Sequence, residues 1–263
     1  MLWVYELRGK SSPRSVPNDG LAGVWREPPY YYLFYRRESL PALGQWLESN
    51  PGWRLTSQYN LPYETWQDIS LVETQVGPFR IRTAPGGAAD SEGTIPIVID
   101  PGIVFGSGLH PTTQGCLLAI AEVFSRGEIR TALDFGTGTG ILAVACALLG
   151  AESVIAVDCN PLAATIAARN AETNGVGDRI AFVVSDRLGV VETPSDLLVM
   201  NIEWPFMEGI LKSGEWRQNR RMILSGFLPG KLEEVKRLVS PFSGSLKVNI
   251  YDGWPVVIVS SEG

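Results

Sequence analysis

Hydrophobic and polar positions form one pattern up to about residue 89 and a different pattern after it. In the first part, short apolar and aromatic runs predict strands at residues 2–7, 30–35, 53–59 and 79–83. Residues 40–47 predict a short helix, and residues 84–93, APGGAADSEG, have the composition of a flexible connection. We therefore predict a small α+β domain over residues 1–89 and a larger domain over residues 90–263.

In the second part, apolar strand-like runs alternate with helix-like segments. The predicted strands are residues 132–135, 154–157, 180–184, 197–200, 222–224, 246–251 and 256–259. The predicted helices are residues 141–149, 161–174 and 231–238. Alternation of this kind predicts a doubly wound parallel sheet of the α/β class. The last two strands, joined by residues 252–255, are close enough in sequence to form an antiparallel hairpin.

Composition and charge narrow the class of protein. The chain is 45% hydrophobic and 19% charged, so we expect a sizeable core. A formal net charge of -6 without a basic run disfavours a protein that grips nucleic acid through its phosphates. The longest apolar run, residues 141–149, is far below the roughly 20 residues that cross a bilayer. Residues 1–10 lack the apolar core of a signal peptide. We expect a soluble, cytoplasmic protein that contacts neither a membrane nor nucleic acid directly.

Cysteine and histidine usage argues against a metal centre. The three cysteines, Cys116, Cys146 and Cys159, include no close pair, and His110 is the single histidine. A site built from thiolates and imidazoles needs such ligands at short, regular spacings. We therefore expect no metal ion and three reduced thiols.

A glycine-rich loop follows the first strand of the larger domain. Its residues are Asp134-Phe135-Gly136-Thr137-Gly138-Thr139-Gly140. Glycines between a strand and a helix allow a sharp turn and let a ligand approach the main chain. A dinucleotide site would place an alanine or glycine where this chain has Ile141, so the spacing favours a different nucleoside cofactor over a nicotinamide.

Two acids follow the next two strands. Asp158 ends the second strand, where a carboxylate accepts hydrogen bonds from the ribose hydroxyls of a nucleoside. That position serves dinucleotide and other nucleoside sites alike. Asp186, after the third strand, is placed to reach an adenine amine, or equally to be a surface acid that caps the next segment.

An unusual segment precedes the glycine loop. Residues 100–113 read DPGIVFGSGLHPTT, which combines a strand end, a glycine-rich turn and a helix start. We expect this loop to lie over the site, with Thr112 or Thr113 capping a helix that runs to Phe124. For His110, hydrogen-bonding support of the loop is favoured over proton transfer.

This segment resembles the PrmA family, methyltransferases that modify a large-subunit ribosomal protein. The family pattern is close to D-P-G-x-x-F-G-T-G-x-H-P-T-T, and Ser107 in place of threonine is the chief departure. The resemblance continues at residues 133–140, 156–160, 168–176, 201–202 and 224–226. It implies a Rossmann-like class I methyltransferase sheet of seven strands with a terminal antiparallel hairpin. It also implies S-adenosylmethionine as cofactor, and a protein substrate that the N-terminal domain recognises.

The resemblance also implies which residues form the site. Carried over position by position, the family's cofactor contacts fall on Thr113, Gly136, Asp158 and Asn201. We expect further cofactor contacts from neighbours in the same segments: Phe105, Gly106, Asp134, Thr137, Gly138, Asn160 and Asp186. Residues 105–110 are then expected to fold over the methionine end of the cofactor.

One departure from the family affects the expected catalytic residues. Where the family has N-I-L-A-x-P-L, this chain has Asn201-Ile202-Glu203-Trp204-Pro205-Phe206, a turn one residue shorter. Asn201 is expected to orient the substrate nitrogen. Glu203 is a candidate proton acceptor and equally a candidate surface acid. Trp204 is a candidate wall of a partly apolar site, or an aromatic at a domain interface.

Three alternatives to protein N-methylation remain open. The changed turn favours a methyltransferase that acts on a small molecule or on another protein. A nicotinamide oxidoreductase is disfavoured by the glycine spacing and by residues 105–113. A cofactor-binding scaffold without catalysis is disfavoured because Asn201 is present.

Overall fold

The fold was obtained as a computed structural model that describes residues 2–9, 15–27, 30–61, 73–83, 93–100, 106 and 108–261. The chain divides into two compact units, Met1–Ser70 and Leu71–Gly263. None of the helices within these described ranges is long and apolar enough to cross a membrane.

The smaller unit is an antiparallel sheet packed against one helix. Its elements are β1 (Leu2–Arg8), β2 (Leu21–Glu27), β3 (Tyr30–Tyr35), α1 (Leu40–Glu48) and β4 (Arg54–Leu61), and its strand order is β2-β3-β1-β4. Alternate residues of a strand face the same side, and accordingly Tyr5, Leu7, Tyr31 and Leu33 are buried with Leu43 of the helix. Of these elements, β2 was not predicted from the sequence.

The larger unit begins earlier than the predicted boundary at residue 89. Its first strands, β5 (Glu73–Val76), β6 (Phe79–Thr83) and β7 (Ile95–Ile99), form a three-stranded sheet in which β6 and β7 run parallel. Phe79 and Ile97 are fully buried in the same hydrophobic core as the helices that follow. This shared core, rather than the composition of the connection, determines where the units divide. Residues 84–92, most of the predicted connection, lie outside the described residues.

A seven-stranded sheet forms the centre of the larger unit. Its strands are β8 (Thr131–Phe135), β9 (Ser153–Asp158), β10 (Ile180–Val184), β11 (Leu197–Asn201), β12 (Arg221–Ser225), β13 (Ser245–Tyr251) and β14 (Trp254–Ser260). The order is β10-β9-β8-β11-β12-β14-β13, with β8 to β12 parallel and β14 antiparallel to both neighbours. The predicted α/β fold with a terminal hairpin is confirmed. Asp252 (φ 46) and Gly253 (φ 81) make the two-residue turn of that hairpin.

Helices cover both faces of this sheet. They are α2 (Pro111–Arg126), α3 (Ile141–Leu148), α4 (Pro161–Thr173), α5 (Trp204–Ser213) and α6 (Leu232–Val239). Alternate residues of β8 divide between two cores: Ala132 packs with α2 and α3, and Leu133 packs with α5 and α6.

Helix α5 was not predicted, because residues 201–206 were interpreted as a turn. Pro205 lies in its first turn, where the missing N–H is not needed. Met207 and Leu211 are buried one turn apart, and Gly214 ends the helix in a left-handed conformation (φ 80).

Candidate functional site

The site lies where the parallel strands end at their carboxyl termini. Gly136 N and Thr137 N donate to the Val157 carbonyl at the end of β9, over 2.8 and 3.0 Å. Ser185 N, just after β10, donates to the Asp158 carbonyl over 2.9 Å. The first two bonds hold the glycine loop against the end of β9, and the third holds the end of β10 against the end of β9.

The glycine loop is packed closely against neighbouring segments, which leaves no room for larger residues at two of its glycines. Gly136 (φ 81) and Gly140 (φ 82) both adopt left-handed conformations. A Cβ at Gly136 would lie 2.2 Å from Cγ2 of Ile202, and one at Gly140 would lie 2.9 Å from the Cβ of Ala167. Glycine at these two positions therefore allows the sharp turn from β8 into α3.

Asp158 is held by main-chain donors on both carboxylate oxygens. Oδ2 accepts from Gly138 N and Oδ1 accepts from Asn160 N, each over 2.9 Å. A carboxylate offers about four acceptor positions, so Asp158 can still accept from a ligand's hydroxyls. The Asn160 side chain caps α4 by accepting from Leu162 N over 3.0 Å.

Asp134 is buried and only half satisfied. Its Oδ2 accepts from Thr137 Oγ1 over 2.6 Å and from Ala143 N over 3.2 Å. Its Oδ1 is buried and has no hydrogen-bond partner among the described residues. Desolvation raises the pKa of Asp134 to about 7; the bonds from Thr137 and Ala143 oppose this rise, and the charge of Asp158 adds to it.

Asn201, at the end of β11, is also only partly satisfied by hydrogen bonds. Its Nδ2 donates to Thr113 Oγ1 of α2 over 3.4 Å, and Thr113 is itself buried. Its Oδ1 is buried without a partner in the described part of the chain. Because Met200 pairs with Phe135 in parallel register, Asp134 and Asn201 project from the same face of neighbouring strands.

His110 and Gly106 connect the preceding loop to this site. Gly106 O accepts from Thr139 Oγ1 of the glycine loop over 2.7 Å. His110 is the N-cap of α2, and its Nδ1 accepts from Thr112 N over 3.3 Å. The predicted cap at Thr112 or Thr113 is wrong, because the helix already begins at Pro111. Partial burial lowers the pKa of His110.

Of the remaining predicted cofactor residues, one lies at the site and another is not described by the structure. Asp186 is exposed just after β10, on the same sheet edge as Asp158. Phe105 lies outside the described residues, as do residues 101–104, Ser107 and Trp66.

Glu203 and Trp204 lie at the start of α5. Glu203 is exposed at the N-cap position and makes no side-chain cap. Trp204 is half-buried within its own unit, with its ring 6.4 Å from that of Phe227. Lys231 Nζ lies 5.2 Å from the centroid of the Trp204 ring, within range of a cation–π contact. No local sequence pattern marks Phe227 or Lys231 as neighbours of Trp204.

Asn170 of α4 is a second contributor that the sequence analysis missed. It is 1% exposed, and its Nδ2 donates to the carbonyls of Thr139 and Asp100 over 2.8 and 3.0 Å. Its Oδ1 accepts from Asp100 N over 2.9 Å. A buried asparagine within an apolar helix face was the available signal.

The described residues contain no group of three or more histidine, cysteine or acidic side chains arranged to hold a metal ion. The donors and acceptors of the site suit an organic ligand instead. One edge of the sheet carries the main-chain groups of the glycine loop, the Asp158 carboxylate and two buried oxygens without hydrogen-bond partners among the described residues.

Comparisons with known proteins agree on one family. The profile of the family described as ribosomal protein L11 methyltransferase (PrmA) matches residues 75–262. The ribosomal protein L11 methyltransferase of Methylococcus capsulatus is 32% identical over 258 residues, which cover 94% of this chain and 86% of the relative. That of Pelotomaculum thermopropionicum is 49% identical over 111 residues, 42% of this chain and 35% of the relative.

A solved structure supports the same relationship. The ribosomal protein L11 methylase from Lactobacillus delbrueckii subsp. bulgaricus is 26% identical with a TM-score of 0.63, covering 73% of this chain and 99% of that one. The chain spans about half the length, or less, of several curated relatives, with 35 to 56% of their residues matched.

Proposed function

This chain belongs to the ribosomal protein L11 methyltransferase family, and from that premise we propose that it transfers methyl groups from S-adenosylmethionine to an amine of a ribosomal protein. We infer that the larger unit binds the cofactor and performs the transfer. The N-terminal unit, whose elements end with β4, is assigned to recognition of the protein substrate.

One observation carries this proposal: two buried acceptor oxygens lie on the same face of neighbouring strands without partners among the described residues. They are Asp134 Oδ1 and Asn201 Oδ1. A buried acceptor without a donor is unfavourable by about 1–3 kcal/mol, so this pair is suited to a ligand that brings donors. The ammonium of an amino-acid moiety is such a donor, and it complements the Asp134 charge.

The other residues of the site fit the rest of the cofactor. The Asp158 carboxylate would accept the ribose hydroxyls, and the main chain from Gly136 to Gly138 would border the ligand. Asp186 would reach the adenine amine. S-adenosylmethionine, when bound, supplies an electrophilic methyl group on a sulfonium.

The residues of this chain must then hold the amine of the substrate in its neutral form and orient it towards the methyl group. A lysine amine has a reference pKa of about 10.4, so neutralising it near pH 7.4 costs roughly 4 kcal/mol. Packing of the substrate amine against Trp204, Pro205 and Phe206 would remove water from it and lower that pKa. Asn201 and main-chain carbonyls orient the nitrogen, and Glu203 accepts its proton. Alignment of this kind supplies several kcal/mol of the barrier.

The start of α5 favours a second candidate acceptor. Glu203 and Trp204 replace the apolar turn that the family resemblance implies, and Phe206 is 68% exposed beside them. An acceptor other than the family's ribosomal protein, either a different protein or a small amine, would suit this altered surface.

Two measurements test the proposal in sequence. Isothermal titration with S-adenosylhomocysteine and, in parallel, NADH should show micromolar binding of the former alone. Transfer of a labelled methyl group should then be measured to ribosomal protein L11, to total ribosomal proteins and to free lysine. Binding of NADH, or of neither ligand, would refute the cofactor assignment. Labelling of an acceptor other than L11 would favour the second candidate.

A further inference from the structure

The loop that leads into α2 is hydrogen-bonded to the glycine loop and packs against the helix that follows it. Thr139 Oγ1 donates to the Gly106 carbonyl over 2.7 Å. Gly108, with φ 86, is packed against two isoleucines: an added Cβ would be 2.9 Å from Cγ2 of Ile81 in β6 and 3.0 Å from Cδ1 of Ile141 at the start of α3. The main chain at Gly106 and Gly108 is therefore set directly against residues that shape the proposed cofactor cradle.

Gln114 of α2 holds the next carbonyls of this loop. Its Nε2 donates to the carbonyls of Gly108 and Leu109, each over 3.2 Å. A carbonyl can only accept, so the amide NH₂ must face this pair and Oε1 must face away. Oε1 accepts from the Tyr251 hydroxyl over 2.8 Å. The Gln114 amide is thus satisfied in one orientation only.

The terminal hairpin supplies Tyr251, and α2 has the shape to receive it. Gly115 lies at the contact, where an added Cβ would be 2.6 Å from Cγ2 of Val256 and 3.2 Å from Cβ of Tyr251. Trp254, across the two-residue turn from Tyr251, meets the ring of His110 edge-on at 5.1 Å. The hairpin therefore reaches the loop through one polar and one aromatic contact.

We propose that Gln114 is a positioning residue for cofactor binding, and that Tyr251, whose hydroxyl donates to Oε1, anchors the amide from the side opposite the two carbonyls. The inference rests on the proposed function, but Gln114 and Tyr251 would affect cofactor binding through the loop and would not touch the cofactor themselves. Gln114 holds the carbonyls of Gly108 and Leu109, and this keeps the Gly106 and Gly108 main chain against the cradle. Without that hold, the bond between Thr139 and Gly106 forms intermittently, and the ligand must order the loop on binding.

The decisive variant is Gln114→Glu. Glutamate has the same shape as glutamine, but its carboxylate oxygens cannot donate to the two carbonyls and repel them. Gln114→Met removes the amide without adding charge, and Tyr251→Phe removes only the hydroxyl. We expect affinity for S-adenosylhomocysteine to fall about tenfold in Gln114→Glu and about threefold in the other two variants. A space-filling role would give the opposite order, with glutamate tolerated better than methionine.

A matched control exists on the same pair of elements. Lys247 of β13 forms an ion pair with Glu122 of α2 at 2.7 Å, about two turns further along the helix from Gln114. Lys247→Met removes a contact between hairpin and helix without reaching the loop. We expect its affinity for S-adenosylhomocysteine to stay within about twofold of the parent. Equal weakening in Lys247→Met and Gln114→Glu would overturn the inference, as would parental affinity in Gln114→Glu.

Hydrogen exchange without ligand separates this inference from the proposed function. A peptide covering residues 108–114 should exchange several-fold faster in Gln114→Glu than in the parent or in Lys247→Met. Unchanged exchange would overturn the hold of Gln114 on the loop. A parent protein that binds no S-adenosylhomocysteine would instead refute the proposed function, and the exchange result would remain decisive for Gln114.

Discussion

Asn170 binds the main chain of Thr139 directly, because its Nδ2 donates to the Thr139 carbonyl over 2.8 Å in a buried contact. The same side-chain amide forms hydrogen bonds with the main-chain N–H and carbonyl of Asp100, which directly follows β7. One side chain of α4 thus joins the end of β7 to the glycine loop. Because amide groups buried without partners are unfavourable, this arrangement fixes three chain segments relative to one another.

We predict that Asn170→Ala lowers the free energy of unfolding by about 2–4 kcal/mol, since one buried and two part-buried hydrogen bonds are lost at roughly 1 kcal/mol each. It should also weaken binding of S-adenosylhomocysteine, because the Thr139 carbonyl loses its donor. Urea unfolding and isothermal titration measure the two effects.

Asn174→Ala is the control for Asn170. Asn174 is the C-cap residue of α4, and its side-chain amide forms hydrogen bonds with both main-chain groups of Val98 in β7, over 2.8 and 2.7 Å. We expect it to lower stability while leaving ligand affinity close to that of the parent. Equal losses of affinity in both variants would show that α4 acts only as a support.

Asp158→Ala should weaken binding of S-adenosylhomocysteine by about 10- to 150-fold, the equivalent of one or more hydrogen bonds to a charged group. The carboxylate also accepts from Gly138 N and Asn160 N, so part of the loss comes from the loop itself. Asp158→Asn separates the two contributions because it keeps one oxygen acceptor. Calorimetry that returns parental affinity for Asp158→Ala would remove the nucleoside from this position.

The sequence predicted the central strands because each is a short apolar run that ends at a glycine or a polar residue. It also predicted the position of Asp158, since a strand end fixes where the side chain emerges. It did not predict Asn170, whose partners Asp100 and Thr139 are 70 and 31 residues away along the chain. Local pattern carries no information about such pairings. Helix α5 was missed because Pro205 fits a turn and a first helical turn equally well.

Asn201→Ala should reduce methyl transfer much more than cofactor binding. Loss of one acceptor weakens binding by no more than about tenfold, whereas loss of alignment at the reacting nitrogen lowers kcat by about a hundredfold or more. Thr113→Val is the comparison, because it removes the 3.4 Å contact with Asn201 Nδ2 and keeps the Asn201 side chain itself. Parallel losses in affinity and kcat for Asn201→Ala would assign the residue to cofactor binding alone.

Glu203→Gln tests whether the exposed carboxylate at the start of α5 takes the substrate proton. General-base participation predicts a fall in kcat of about a hundredfold with little change in cofactor affinity. Glu208→Gln is a comparison on the same helix, since Glu208 pairs with Lys212 instead. A pH–rate profile that matches the parent in height and shape would remove Glu203 from the mechanism.

The raised pKa of Asp134 leads us to predict opposite pH dependences for the stability of the fold and for the affinity for S-adenosylhomocysteine. Its pKa, raised by burial to about 7, exceeds its ordinary value of 3.8, so the folded protein holds a proton there that the unfolded chain has lost. The stabilisation is therefore fully present below about pH 4 and is lost as the pH rises towards 7, by at most about 1.4 kcal/mol per pH unit.

A ligand ammonium, in contrast, favours the ionised carboxylate. Affinity for S-adenosylhomocysteine should therefore rise from about pH 5.5 to 7, below the range near 7.7–8.0 where an α-amino group deprotonates. Binding at pH 6 should release a proton, which calorimetry in buffers of different ionisation enthalpy detects. Asp134→Asn should remove both pH dependences and bind more weakly at pH 7. If the variant keeps the parent's pH dependence of affinity, a group other than Asp134 faces the ammonium, and the pairing of Asp134 with Asn201 around one ligand donor is wrong.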